Sequence, residues 1–197
     1  MKRILVIKSS LNGADSQSSQ LVDKLTEKFQ KNLEADVTTR DLASQPLPHL
    51  TQHEMTAWMS GADEVHDIEE DTAALSDELI RELKNSDAVI IGMPMYNFGV
   101  PSTFKSWVDR IARAGATFNY TESGPVGLLE NKPVYIVATR GGFYAGTPAD
   151  TQTPYLKSVF GLIGLRDVHF VYAEGLGTSD KDSQLTRAEQ AIEQIIV

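Results

Sequence analysis

Two kinds of apolar pattern alternate along the 197 residues. Short continuous apolar runs bounded by turn formers suggest strands buried on both faces. Ile4–Ile7 is the first, Ala88–Ile91 the third, Val134–Ala138 the fourth and Val168–Tyr172 the fifth. Asp36–Arg40, with the β-branched Val37-Thr38-Thr39, is a weaker second run suited to a sheet edge. Between the runs, apolar residues recur at helical spacing. The series are Leu21, Leu25 and Phe29; Leu75, Leu79 and Leu83; Phe104, Trp107, Val108 and Ile111; Tyr155, Val159 and Leu162; and Leu185, Ala188, Ile192 and Ile195. Strands alternating with helices predict parallel βαβ units with right-handed crossovers. The expected architecture is α/β: a three-layer sandwich with a five-stranded parallel sheet and helices on both faces. Gln45–Leu50, with Pro46 and Pro48, reads as a loop, so residues 1–197 are expected to form a single domain.

Composition narrows the chemistry. With no cysteine, disulfides, thiolate metal sites and cysteine nucleophiles are excluded. A formal charge of −9 disfavours nucleic acid and anionic membrane as main partners. No apolar stretch approaches a membrane span, and the run after the basic start Lys2-Arg3 breaks at Lys8, too early for a signal peptide. A first strand in a cytoplasmic protein is the expectation. The acidity is concentrated: eleven acids and two bases lie between Glu54 and Asp87, leaving sixteen of each elsewhere. A solvated helix face is favoured for this run over a docking surface for a basic partner, because Leu75, Leu79, Ile80 and Leu83 recur within it at helical spacing.

In such folds ligands bind beyond the carboxyl ends of the strands, where the strand order reverses. Three loops there carry candidate chemistry. Lys8–Ser19 is rich in hydroxyls and opens a helix, whose free N–H groups and dipole favour a phosphate. Ser10, Ser16 and Ser18 are candidate donors, with ordinary helix capping as the alternative. The loop matches neither G-x-x-x-x-G-K-[ST] nor G-x-G-x-x-G and lacks a lysine for a triphosphate's terminal groups, so a monophosphate fits it best. Gly92–Pro101 is apolar and aromatic, which suits a flat heteroaromatic ring packed by Tyr96 and Phe98. Burial under another element, or a dimer contact, is the alternative. Pro101 suits the first turn of the following helix. In Thr139-Arg140-Gly141-Gly142, paired glycines allow close backbone approach, and Arg140 is a candidate to offset negative charge; taken alone the glycines read better as a plain turn, and the three loops are stronger together than separately.

These residues together resemble the FMN-dependent NADH azoreductases, also described as FMN-dependent NADH:quinone oxidoreductases. The resemblance runs nearly end to end, through Ala112-Arg113-Ala114-Gly115, Tyr120-Thr121-Glu122, Gly127-Leu128, Thr153-Pro154-Tyr155-Leu156 and Ala173-Glu174-Gly175. It implies a flavodoxin-like fold with strand order 2-1-3-4-5, FMN as cofactor, NADH as electron donor, and quinones and azo compounds as acceptors. By the same resemblance Ser10, Ser16, Gln17 and Ser18 would hold the FMN phosphate. Met95, Tyr96, Asn97 and Phe98 would line the isoalloxazine, beside Thr139, Arg140, Gly141 and Gly142, where the family usually has Ser-Arg-Gly-Gly. The family is a homodimer with each flavin site at the subunit interface. Its acceptor pocket points here to Tyr120, Phe118, Trp58 and Leu162, with packing against Phe118 the alternative role for Tyr120. Residues Leu50–Glu70 depart most from the family. The implied cycle is ping-pong through flavin N5, with no catalytic acid or base forced by the sequence.

Other residues invite weaker readings. His49 and His53 are four apart, but Pro46 and Pro48 place His49 at a helix start at best, and solvent exposure is favoured over a metal site. His66 and His169 show no evident catalytic partner. Asp109 and Arg113 suit an i,i+4 structural pair. A flavodoxin-type electron carrier, docking partners through its acidic surface, and a flavin-free phosphate-binding domain are the competing functional readings.

Overall fold

The computed structural model describes residues 1–60 and 70–196. Five parallel strands form its sheet: β1 (Arg3–Lys8), β2 (Asp36–Asp41), β3 (Ala88–Pro94), β6 (Val134–Thr139) and β7 (Val168–Ala173), in the order β2-β1-β3-β6-β7. This is the expected 2-1-3-4-5 arrangement. Every residue of β3 and β6 is buried, as their continuous apolar runs require of central strands. Strand β2 is largely exposed and lies at the sheet edge. Each strand runs one to three residues further at its carboxyl end than its apolar run, because Pro94, Thr139 and Ala173 keep the parallel register after the hydrophobic stretch ends.

Alternation along the strands divides the core. Ile4, Val6, Ile90 and Val137 face α1 (Gln17–Leu33) and α6 (Lys181–Gln194), while Leu5, Ile7, Val89, Ile91 and Ile136 face α3 (Glu70–Asn85), α4 (Ser102–Ile111) and α5 (Gln152–Ile163). In α5 the fully buried stripe is Leu156, Phe160 and Ile163; the expected Tyr155, Val159 and Leu162 series sits one position round the helix and is only partly buried. Both series have helical spacing, so periodicity finds the helix without choosing its deepest face. Pro101 stands just before α4 rather than in its first turn.

Two elements go beyond the expected set. Helix α2 (Gln52–Ser60) begins with a capping box in which Glu54 accepts from the Thr51 N–H and hydroxyl at 2.8 Å each, while the Glu54 N–H donates to Thr51 Oγ1. Strands β4 (Phe118–Thr121) and β5 (Gly124–Gly127) form an antiparallel hairpin. It packs backbone to backbone on the end of α5: a Cβ at Gly127 would lie 2.1 Å from the Gly164 nitrogen.

The acidic run is not simply a solvated face. Glu54 is buried and pairs at 2.8 Å with the fully buried Arg110. Arg40 bridges Glu78 and Glu82, Arg113 pairs with Asp77, and Asp87 lies beside Lys2 and Arg3. Bases from outside the run thus fold back onto it. Arg113 is therefore not the partner of Asp109, which pairs instead with Lys105 at 2.5 Å; Arg113 also holds Trp58 against its guanidinium. Asp63, Glu64, His66, Asp67 and Glu69 lie outside the described residues. Among the described residues no helix is long and apolar enough to cross a membrane.

Candidate functional site

The strand order reverses between β1 and β3, and the loops beyond their carboxyl ends meet there. Ser9 Oγ donates to the Gly92 carbonyl at 2.7 Å. Ser10 Oγ and the Tyr96 hydroxyl are 3.2 Å apart, and the Leu11 N–H donates to that hydroxyl at 3.1 Å. The Met95 N–H donates to the Thr139 carbonyl at 2.9 Å, tying the second loop to the third.

The first loop ends in a cluster of hydroxyl and N–H donors at the start of α1. Ser16 is the N-cap of α1: its Oγ accepts from the Ser19 N–H at 3.2 Å and lies 3.0 Å from Ser18 Oγ. Helix geometry gives the N–H groups of Gln17 and Ser18 no acceptor within the helix. The three residues Ser10, Ser16 and Ser18 are buried, yet among the described residues no carboxylate is bonded to their hydroxyls. Lys8 is spent on Asp23 at 2.6 Å, so the donors here are neutral. The helix approaches β3 closely: a Cβ at Gly92 would stand 3.4 Å from the Ser18 carbonyl oxygen and 3.2 Å from Val22. Capping and anion binding are compatible at such a terminus, because the cap uses the Ser19 N–H and leaves the two before it.

The second loop is a two-residue hairpin. Tyr96 and Gly99 exchange backbone hydrogen bonds of 3.1 and 2.9 Å, and the residues between them are left-handed, with φ of 50° at Asn97 and 63° at Phe98. Positive φ at both central positions marks a type I′ turn, for which Asn-Gly is the favoured pair. Asparagine tolerates the conformation; phenylalanine rarely adopts it, so the turn is strained at Phe98. The strain presents Phe98 outward, half exposed, with its ring 5.6 Å from that of Tyr144.

The third loop departs from expectation at Arg140. Its side chain is fully buried and turned inward, pairing with Asp150 and Glu174 at 3.0 Å each and donating to Thr153 Oγ1 at 2.9 Å. Tyr172 lies under the guanidinium at 4.9 Å. Two carboxylates already neutralise this cation, so it is not available to offset charge on a ligand. It organises the loop: Glu174 also accepts from the N–H groups of Tyr144 and Ala145 at 2.8 Å. The carbonyls of Arg140, Gly141 and Gly142 accept from Leu176, Gly177 and Gly175, which turns that edge away from the site. A Cβ at Gly141 would meet open space, and one at Gly142 would meet the Tyr144 ring at 2.9 Å.

Beside the hairpin lies an open cleft of about 1090 Å³, lined by Leu11, Asn12, Met95, Tyr96, Asn97 and the starts of α4 and α5. Ser16, Gln17, Ser18 and the Thr139–Gly142 loop are off its lining, as are Phe98, Phe118, Tyr120, Trp58 and Leu162. The structure thus groups the expected cofactor residues on the three loops but does not bring the expected acceptor-pocket residues to them within one chain. Tyr120 is exposed on the hairpin and meets Phe118 edge-on at 5.3 Å. Residues to which the sequence reading gave no part in the site also belong here. His49 lines the cleft from the loop before α2, its Nδ1 lying 3.2 Å from Ser106 Oγ. Thr151 and Gln152 reach the second loop from α5. His169 lies on the far edge strand, with Asp167 beside it at 2.7 Å and away from the site.

A family model described as the flavodoxin-like fold matches residues 2–196. An FMN-dependent NADH:quinone oxidoreductase of Pseudoalteromonas atlantica is 48% identical over 99% of this chain and 96% of its own length. One of that name from Alcanivorax borkumensis is 51% identical over 90% of each chain. The chain belongs to the FMN-dependent NADH:quinone oxidoreductase family. An FMN-dependent NADH-azoreductase of Bacillus anthracis, solved in complex with FMN, superposes with a TM-score of 0.89 at 24% identity, covering 98% of this chain and 97% of its own. That likeness concerns the fold. Membership in this oxidoreductase family agrees with the three-loop site, whose neutral donors and strained aromatic turn fit a flavin mononucleotide better than a triphosphate.

Proposed function

We propose that this single-domain chain is an NADH-dependent reductase of quinones and azo compounds that works through bound FMN. The observation that carries the reading is the buried neutral donor set at the start of α1, joined through Ser10 and Tyr96 to the strained aromatic hairpin. One end suits a phosphate monoester and the other a flat ring.

In this reading Ser10, Ser16, Gln17 and Ser18 hold the phosphate, with the α1 N-terminus stabilising its charge. Met95, Tyr96, Asn97 and Phe98 form the bed for the ring, and Thr139, Gly141 and Gly142 approach it through backbone. Arg140 keeps that loop in place from inside. Bound FMN would supply the two-electron redox chemistry that couples oxidation of NADH to reduction of the acceptor. The protein's part is to position the two substrates in turn over one open face and to let solvent supply protons. The exposed Tyr120 and Phe98 are apolar surface that a second copy would cover. A homodimer in which the hairpin of one copy brings Phe118 and Tyr120 to the site of the other accounts for their absence from the cleft of one chain.

The test is anaerobic mixing of the purified, flavin-loaded protein with NADH, followed by addition of a quinone. Bleaching of the flavin band by NADH and its recovery on adding quinone are expected. A protein that takes up no FMN, or whose flavin NADH does not reduce, sinks the proposal. Flavin reduced only by a protein electron donor would instead favour the carrier reading.

A further inference from the structure

The strained hairpin is held from outside. Gln152, the first residue of α5, is 1% exposed, and its Nε2 donates to the carbonyls of Pro94 and Gly99 at 3.0 Å each. Both partners are acceptors, so the amide nitrogen must face them, which fixes the orientation of the group. Pro94 ends β3 and Gly99 closes the Tyr96–Gly99 hairpin, so one side chain ties the strand end to the far side of the turn. Its neighbour Thr151 donates through Oγ1 to the carbonyl of Phe98, within the turn itself. The arrangement has a cost: Gln152 Oε1 is buried with no donor. An apolar side chain of similar size would fill the same space and leave no orphaned acceptor. What it would not supply is the pair of N–H donors at carbonyls flanking two left-handed residues, one of them a phenylalanine.

We propose that Gln152, assisted by Thr151, is a positioning residue that braces the Tyr96–Gly99 turn in its strained form and so sets the bed on which the ring of FMN packs. The second half of this statement rests on the proposed function; the first does not. A relaxed turn would shift Asn97 and Phe98 together, altering contacts with the flat ring while leaving the phosphate donors of α1 in place.

The test has two independent readouts. In the flavin-free protein, the Gly99 amide, which donates across the turn to Tyr96, should exchange its hydrogen about tenfold faster in Gln152→Leu, the loss expected for one or two neutral hydrogen bonds. Introducing Phe98→Gly creates an Asn-Gly pair that holds a type I′ turn unaided, so Gln152→Leu should accelerate exchange much less in that background. In the flavin-bound protein, Gln152→Leu should weaken FMN and lumiflavin, which lacks the ribityl phosphate, by the same factor of about ten, and should change the shape of the visible flavin band. Thr151→Val, at an exposed position, should move every readout the same way but less, and it carries the test if Gln152→Leu does not fold. Unchanged Gly99 exchange in both variants overturns the brace. A loss of FMN affinity with lumiflavin affinity intact overturns the second half, that the braced turn sets the bed for the ring. If the wild-type protein binds neither flavin, the proposed function fails while the exchange measurements still decide the brace.

Discussion

The two ends of the same sheet are built differently. At the amino ends of the strands, polar groups are closed off among themselves. Asp87 accepts the Arg3 N–H at 2.7 Å, with Lys2 alongside. The Lys132 ammonium donates to the carbonyls of Leu83, Lys84 and Ser86 at 2.9, 3.1 and 2.5 Å, closing the end of α3. Asn131 accepts from the N–H groups of Arg166 and Asp167. At the carboxyl ends, the buried Ser16 and Ser18 hydroxyls meet each other and the Ser10 hydroxyl meets that of Tyr96, with backbone N–H groups donating to Ser16 and to Ser10; Asn97 and Phe98 are left-handed, and Gln152 and Tyr155 keep polar atoms without partners among the described residues. One end spends its polar groups on folding. The other holds them in reserve at some expense of stability, as a ligand site requires.

Arg140 is the strongest test of that contrast, because it lies at the carboxyl end yet its two terminal guanidinium nitrogens are bonded as at the amino end, although its buried Nε has no partner. Arg140→Leu leaves Asp150 and Glu174 without their buried cation and should cost about 3–5 kcal/mol in urea unfolding. If it contacted the cofactor instead, FMN affinity would fall with stability unchanged. Ser18→Ala should show the reverse pattern. It should weaken FMN by about 1.5–3 kcal/mol in a fluorescence titration, as for a hydrogen bond to a charged group, with little change in the unfolding midpoint. Ser16→Ala is less clean, since it also removes the α1 cap, worth about 1 kcal/mol. Lys132→Met at the amino end should cost about 1–3 kcal/mol in stability by orphaning helix-end carbonyls, and should leave FMN affinity where it was.

How much of this was legible in the chain depended on whether a signal was local. Continuous apolar runs marked β1, β3, β6 and β7, most plainly the central β3 and β6, whose two faces are both covered, whereas the exposed edge strand β2 left only the β-branched Val37-Thr38-Thr39. The hydroxyl loop and the aromatic segment stood out because loops rarely have such compositions. The inward pairing of Arg140 was not legible, since nothing in Thr139-Arg140-Gly141-Gly142 says that Asp150 and Glu174, ten and thirty-four residues away, face it from inside. Helix α2 carried a usable signal, the Thr51-x-x-Glu54 capping box, hidden within an acidic run that read as solvated. The β4–β5 hairpin gave almost none: its strands are four residues long and include Gly124-Pro125. The brace at Gln152 was invisible, because a glutamine before a Thr-Pro helix start points nowhere in particular until the fold sets it under Pro94 and Gly99.

The smallest predicted effect separates the two ends by pH. On the acid side they behave alike. Burial pushes Asp150 up, but hydrogen bonds from Thr153 and Arg140 outweigh it and hold the carboxyl below 3.8. Asp87 is held down chiefly by the Arg3 N–H. Carboxylates depressed in the folded state contribute stability above their unfolded pKa and lose it as pH falls through the folded value, so acid weakens both ends. The alkaline side differs. Burial lowers the Lys132 ammonium below its ordinary 10.5, only partly offset by Glu130 and Asp87. Between the lowered value and 10.5 the unfolded chain binds more protons than the folded one, so this lysine makes stability rise with pH. Tyr135, Tyr155 and Tyr172, raised by burial above 10.0, act in the opposite direction at the top of that range. The informative quantity is therefore the difference between wild type and Lys132→Met, followed by urea unfolding from neutral pH to about 10. That difference should widen as the pH rises, because only the wild type gains. A constant difference would show that the ammonium at the amino end is as well solvated as a surface lysine, and would remove the clearest case of a polar group committed to folding there.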